Sequence, residues 1–196
     1  MCDSSKSNIV VEIARTLYDK SIEHGLYHVE RVYNWANRII EKEGLEVDQL
    51  ILKLSVYLHD VGRGIGEPHA YYSALIAREL LREAECSEGE IEEVIEAIEA
   101  HSFSYSAKRH SGYSDLAKVL SDADKIDALG LIGFIRVFLY SERRGRSIGE
   151  SIEHFHEKIL KLHELMNYNY SKTTAKEYTE RVKMLLELLI KELRGQ

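Results

Sequence analysis

The sequence predicts an all-α fold, and three observations carry that prediction. Proline occurs once, at Pro68, in 196 residues. Long runs are rich in Leu, Ile, Glu and Lys, the composition of helical proteins. In segment after segment, apolar residues recur every three or four positions, the period of a helix with one buried face. The length suits a single helical-bundle domain, with a core at about residues 20–140 and a C-terminal helical extension at about 141–196 that folds back over the mouth at Gly62, Arg63 and His101.

Ser7 or Asn8 caps a first helix on which Ile9, Ile13, Ala14 and Leu17 form a packing stripe. Gly25 breaks the chain before a second helix opened by His28, whose followers Val32, Ala36, Ile39 and Ile40 turn the imidazole towards the core. His24, four residues earlier, reads first as a surface histidine, with the mouth of the pocket as the alternative. Asp48 caps the central helix, striped by Leu50, Ile51, Leu54 and Leu58. On its last turn stand His59 and Asp60, a costly pair in apolar surroundings unless they meet a partner or a cation. The pair suits a borderline divalent ion, and the negative end of the helix dipole favours a cation there. Gly62 ends the helix, and the Gly-rich run from Arg63 to His69 lacks P-loop spacing.

Further helices follow, one with Ser73, Leu75, Ile76, Leu80 and Leu81, and one from Glu88 to His101 striped by Ile91, Ile95 and Ile98. Arg109 to Ser114 is a polar loop, and Asp115 caps the helix that carries Asp124, inward because it lies four residues after Leu120. Asp127 shares that face and either handles a proton or braces a neighbour, while Lys125 points elsewhere, to solvent. Arg136 interrupts the apolar run from Leu129 to Tyr140 and so requires an anion, a substrate phosphate being one candidate. Arg143, Arg144 and Arg146 read as solvated loop. His154, Lys158 and Lys161 form one stripe, either a polyphosphate clamp or ordinary surface neutralised by Glu157 and Glu164. Asn167 to Ser171 breaks the chain before a last helix that closes the core or makes an oligomer contact.

The balance of 26 basic against 33 acidic residues, net −7, disfavours binding to duplex nucleic acid but allows a small phosphorylated ligand in a local basic pocket. Cys2 and Cys86 stand far apart with no ligand spacing, so no disulfide framework is expected. No stretch has transmembrane length and Met1 to Lys6 has no signal-peptide core, which leads to the expectation of a cytoplasmic protein without membrane contact.

The order His28, His59-Asp60, Asp124 resembles the HD-domain metal-dependent phosphohydrolase superfamily, whose pattern is a His, a distant His-Asp doublet and a later Asp on separate helices. The runs His28 to Val32, His59 to Arg63, His101 to Ser104, Asp122 to Gly130 and His154 to Leu160 are similar to small stand-alone prokaryotic members, over roughly residues 20–190. The resemblance implies a nucleoside triphosphate pyrophosphohydrolase that releases a monophosphate and pyrophosphate with one divalent ion: Mn²⁺ first, with Fe, Co, Ni, Mg and Zn open. Many relatives carry a His-His-Glu motif where this chain has His69-Ala70-Tyr71, which sets a second ion in doubt.

The expected site then has His28, His59, Asp60 and Asp124 on the metal. His101, Asp127 and Arg63 serve catalysis, and Arg136, Lys158, Lys161, His69 and His154 hold substrate. Two readings compete with this one: a nucleoside monophosphate phosphomonoesterase, and a metal- or nucleotide-binding regulatory module.

Overall fold

The computed structural model describes residues 1–102 and 112–196, so Phe103, Ser104 and Arg109 to Ser111 of the runs named above lie outside the described residues. Among the described residues there are nine α-helices and no strand.

Helix α1 (Ser4–Leu17) is capped by Asp3, four residues ahead of Ser7, the first of the two expected caps, and its carboxylate accepts from the Lys6 amide at 2.8 Å. Of the stripe expected to pack only Ala14 is buried: Ile9, Ile13 and Leu17 are exposed, and Ser7, Val10 and Val11 pack beside Ala14 instead. Spacing reports that a stripe exists but not which stripe docks. Here the smaller residues dock, and they let α1 approach α3 and α4 closely.

Helix α2 (Leu26–Glu43) buries His28, Val29, Val32, Ala36 and Ile39, and stops at Gly44 in the left-handed conformation. Helix α3 (Gln49–Leu58) is the central rod, capped by Asp48 as expected and enclosed by α1, α2, α4, α5 and α6. The chain then makes a 3₁₀ turn at Val61–Gly64 that lies against α4 (His69–Glu83). Gly62 permits that approach: a Cβ there would sit 2.3 Å from the Ser73 amide nitrogen, and its own amide donates to Ser73 Oγ at 2.9 Å.

Helix α5 (Glu88–His101) begins in a capping box of Ser87 and Glu90. Helix α6 (Asp115–Asp127) is capped by Ser114 rather than Asp115. It packs on α2 and α5 on one side and on the C-terminal elements on the other. Those elements are α7 (Gly130–Arg143), α8 (Ile148–Glu157), a 3₁₀ segment at Ile159–Leu165 and α9 (Asn169–Leu193).

Two features tie the ends of the chain down. Asp122, fully buried, accepts from the Asn167 amide at 3.0 Å, the Asn167 side chain at 2.8 Å and the Tyr168 amide at 3.1 Å, which fixes the entry to α9. Cys2 and Cys86 form a disulfide, correcting the expectation from sequence. The fold brings these distant residues together because the Asp3 amide donates to the Ala84 carbonyl at 3.1 Å and the Cys2 amide to Glu90 at 2.9 Å. Among the described residues no helix is long and apolar enough to cross a membrane.

Candidate metal centre

Four helices converge on Asp60. It lies just beyond the end of α3, where the helix carbonyls point, and both it and His59 are buried. His28 arrives from the first turn of α2 and Asp124 from the last turn of α6. His28 Nε2 stands 3.4 Å from His59 Nε2, 3.4 Å from Asp124 Oδ1 and 3.8 Å from Asp60 Oδ2, and His59 Nε2 is 3.6 Å from the same Asp60 oxygen. His28 and His59 thus each stand beside both carboxylates expected on the metal, Asp60 and Asp124. The other oxygen, Asp60 Oδ1, lies 3.5 Å from His101 Nε2 and 3.5 Å from His69 Nε2.

The histidines share a local design. His28 Nδ1 bonds Asp127 Oδ2 at 2.7 Å, His59 Nδ1 the Val56 carbonyl at 2.7 Å, His69 Nδ1 the Glu67 carboxylate at 2.9 Å, and His101 Nδ1 the Ile98 carbonyl. A ring whose rear nitrogen donates to an oxygen presents a bare lone pair at Nε2, the tautomer a metal ligand requires. Burial pushes His59 down to about 4, so it is neutral near pH 7. Burial drives the Asp60 carboxyl up, but Arg63 and the surrounding imidazoles outweigh it and hold the group well below the usual carboxylate range. The same contest, won chiefly by His28, keeps Asp124 ionised.

Two atoms show what the arrangement lacks. Asp60 Oδ1 and His101 Nε2 are buried, and neither makes a hydrogen bond. Buried polar atoms without partners are costly. Two lone-pair donors aimed at one space, among three imidazoles and two carboxylates, fit a divalent cation.

Residues 25–129, from the turn before α2 to just past α6, match the HD domain family. The chain belongs to that family. Its similarity extends beyond the HD domain. It is 27% identical over 193 residues to the uncharacterized protein YpgQ of Bacillus subtilis, covering 91% of this chain and 89% of that one. A crystal structure of YpgQ in complex with ADP superposes with a TM-score of 0.77 at 23% identity, covering 98% and 97% of the two chains. A Lactobacillus plantarum protein of known structure matches along the whole of both chains with a TM-score of 0.84 and 24% identity. An HD-superfamily hydrolase from Bacillus thuringiensis matches over 99% and 100%, with a TM-score of 0.73 and 28% identity. This HD protein is a hydrolase of that superfamily.

A cleft of about 300 Å³ opens beside the centre. Of the other expected site residues, Arg63, His69, His101, Arg136, His154 and Lys158 line it. Lys161 does not. Helix α8 ends at Glu157 and the chain tightens into a 3₁₀ segment, so the α-helical spacing that joined Lys161 to the stripe is broken. Asp127 also stands apart, behind His28, bonded to Arg31 Nε at 2.6 Å and ion-paired with Arg136. It is placed to brace an imidazole rather than to exchange a proton with substrate. The anion that Arg136 requires is therefore Asp127 of its own chain, although the guanidinium still borders the cleft.

Three residues line the HD cleft against the favoured sequence reading: His24, Lys125, and Arg146, which was expected in a solvated loop. His24 lines it with Nδ1 3.6 Å from Asp60 Oδ2, its ring edge-on to His28 and Tyr140, and burial pushes it down to about 3. The signal was its position four residues before His28, one helical turn away on a segment that the structure folds as a turn. Lys125, expected in solvent, is buried against the cleft, its ammonium on the Ser121 carbonyl at 3.1 Å and the Ser121 hydroxyl. Helix α6 is covered on both sides, which leaves its lysine no route to solvent except the cleft.

Proposed function

We propose that this HD hydrolase is a metal-dependent phosphohydrolase acting on nucleoside triphosphates, releasing a nucleoside monophosphate and pyrophosphate. The observation that carries the metal is the convergence of His28 Nε2 and His59 Nε2 on the Asp60 and Asp124 carboxylates, with Asp60 Oδ1 buried and without a hydrogen bond. His28, His59, Asp60 and Asp124 are its holders in this reading. A divalent ion in that place supplies an acidified water and neutralises phosphoryl charge.

The protein's own groups do the rest. Arg63, whose guanidinium pairs with Asp60 and reaches His69 at 3.2 Å, orients a phosphoryl oxygen beside the centre. His101, its Nδ1 fixed on Ile98, holds Nε2 at the reacting phosphate and moves a proton there. Asp127 holds His28 in its tautomer and keeps two guanidiniums, of Arg31 and Arg136, in place.

The nucleotide part of the reading is supported by the ADP complex of YpgQ and by the cations of the cleft. A product assay on nucleoside mono-, di- and triphosphates, each with Mn²⁺, Co²⁺, Mg²⁺ and Zn²⁺, tests it. Pyrophosphate from triphosphates is the expected result. Orthophosphate from monophosphates would make the chain a nucleotidase, and no turnover with any ion would leave a binding module.

A further inference from the structure

The cleft beside the metal centre and a second cleft of about 330 Å³ share Glu23, His24, Arg63, Glu67 and Tyr140, yet their charge differs. Five lysines and arginines and three carboxylates line the first, in a chain of net charge −7. Three arginines and four carboxylates line the second. The pairing differs too. In the second cleft Arg63 is paired with Asp60, and Arg143 with Glu23 at 3.0 Å and Asp19 at 3.8 Å.

In the first cleft, among the described residues, Lys125, Arg146 and Lys158 have no carboxylate at ion-pair distance. Arg63 and Arg136, which share its wall, are each ion-paired with an aspartate. Lys125 is the telling member, because a buried ammonium whose hydrogen bonds, among the described residues, go to one serine of its own helix is an expensive arrangement. Arg146 is held at the mouth by its guanidinium over the Tyr140 ring, 5.7 Å from the centroid. Lys158 lines the same cleft at the end of α8. Arg146 and Lys158 both lie beyond residue 129, where the match to the HD domain ends.

We infer that Lys125, Arg146 and Lys158 form a polyphosphate subsite, Lys125 at its inner end beside Asp124 and the C-terminal extension at its outer end. The inference rests on the reading that the substrate carries more than one phosphate. The subsite discriminates by phosphate count: a triphosphate reaches Arg146 and Lys158, and an orthophosphate does not. Arg146 takes the place that the sequence gave to Lys161.

The test is calorimetric titration of the full chain with inorganic tripolyphosphate and with orthophosphate, without added metal so that the polyphosphate is not chelated in solution. Arg146→Ala and Lys158→Ala should each weaken tripolyphosphate binding about tenfold, the worth of one charge-assisted contact. Orthophosphate binding should not change. Lys161→Ala removes the same charge outside the cleft and should match the wild type.

Equal losses for Lys158→Ala and Lys161→Ala would reduce the effect to net charge and overturn the subsite. No loss for Arg146→Ala and Lys158→Ala would overturn it as well. Circular dichroism of each variant checks folding, and Lys158→Gln replaces Lys158→Ala if the latter unfolds. The outcome is separable from that of the product assay. Pyrophosphate release with no change in these variants removes the subsite alone, and the tripolyphosphate pattern without triphosphate hydrolysis removes the proposed reaction alone.

Discussion

Replacing Asp127 by Asn tests whether the centre depends on a carboxylate that never faces the cleft. Asp127 accepts from His28 Nδ1 at 2.7 Å and from Arg31 Nε at 2.6 Å, and pairs with Arg136. Burial raises its pKa, but His28 and the two arginines outweigh that and bring it to about 2, so the carboxylate is ionised wherever the protein is folded near neutrality. An amide in its place keeps the volume and loses the charge. The one oxygen that remains cannot serve His28, Arg31 and Arg136 as two carboxylate oxygens do, so the hold on the His28 tautomer weakens and the buried Arg136 loses its counter-ion.

Loss of such a supporting carboxylate costs roughly 10–100-fold in metal affinity. Stranding a buried charge costs about 3–5 kcal/mol of stability. The expected result is therefore weaker Mn²⁺ binding by at least tenfold in calorimetry, with a melting temperature lower by about 6 °C or more at about 2 °C per kcal/mol for a chain of this size. Unchanged metal affinity with a lowered melting temperature would make Asp127 a packing residue only and would refute its bracing of His28.

Three other outcomes follow from the geometry. His59→Ala and Asp60→Ala should abolish bound metal, measured by elemental analysis after dialysis, together with hydrolysis; full metal content in either would place the ion elsewhere. His101→Ala should lower turnover by about 10²–10⁴-fold with metal retained, whereas loss of metal would make His101 a ligand and bring in a second ion shared with His69 through Asp60 Oδ1. The metal-free protein should lose stability as the pH falls below about 6.5. His59 is pushed down to about 4 and His24 to about 3, so the unfolded chain binds protons there that the folded chain does not, at up to about 1.4 kcal/mol per pH unit for each imidazole. Asp127, at about 2, keeps its contribution throughout that range and loses it only in stronger acid. A flat melting temperature between pH 6.5 and 4.5 would refute neutral burial of the two rings.

The sequence by itself determined what periodicity and residue chemistry encode locally. The helices follow from apolar spacing, and the cap at Asp48 from a side-chain oxygen beside free amides. His28, His59, Asp60 and Asp124 were legible because each is a polar residue on an otherwise apolar helical face, where only a shared partner makes it tolerable. Tertiary structure decided what depends on which face meets which neighbour. Helix α1 has two apolar stripes and only packing selects Val10, Val11 and Ala14 over Ile9 and Ile13. Lys125 looks solvated until α6 is covered on both sides, and Asp127 looks like a second cleft carboxylate until Arg31 and Arg136 close behind it. Lys161 left the cleft through a change from α to 3₁₀ winding after Glu157. Cys2 and Cys86 pair across 84 positions because backbone and side-chain bonds made elsewhere in the fold bring the N-terminus to the end of α4. Spacing along one helix constrains a side chain's direction, but what it meets there is set by residues dozens of positions away.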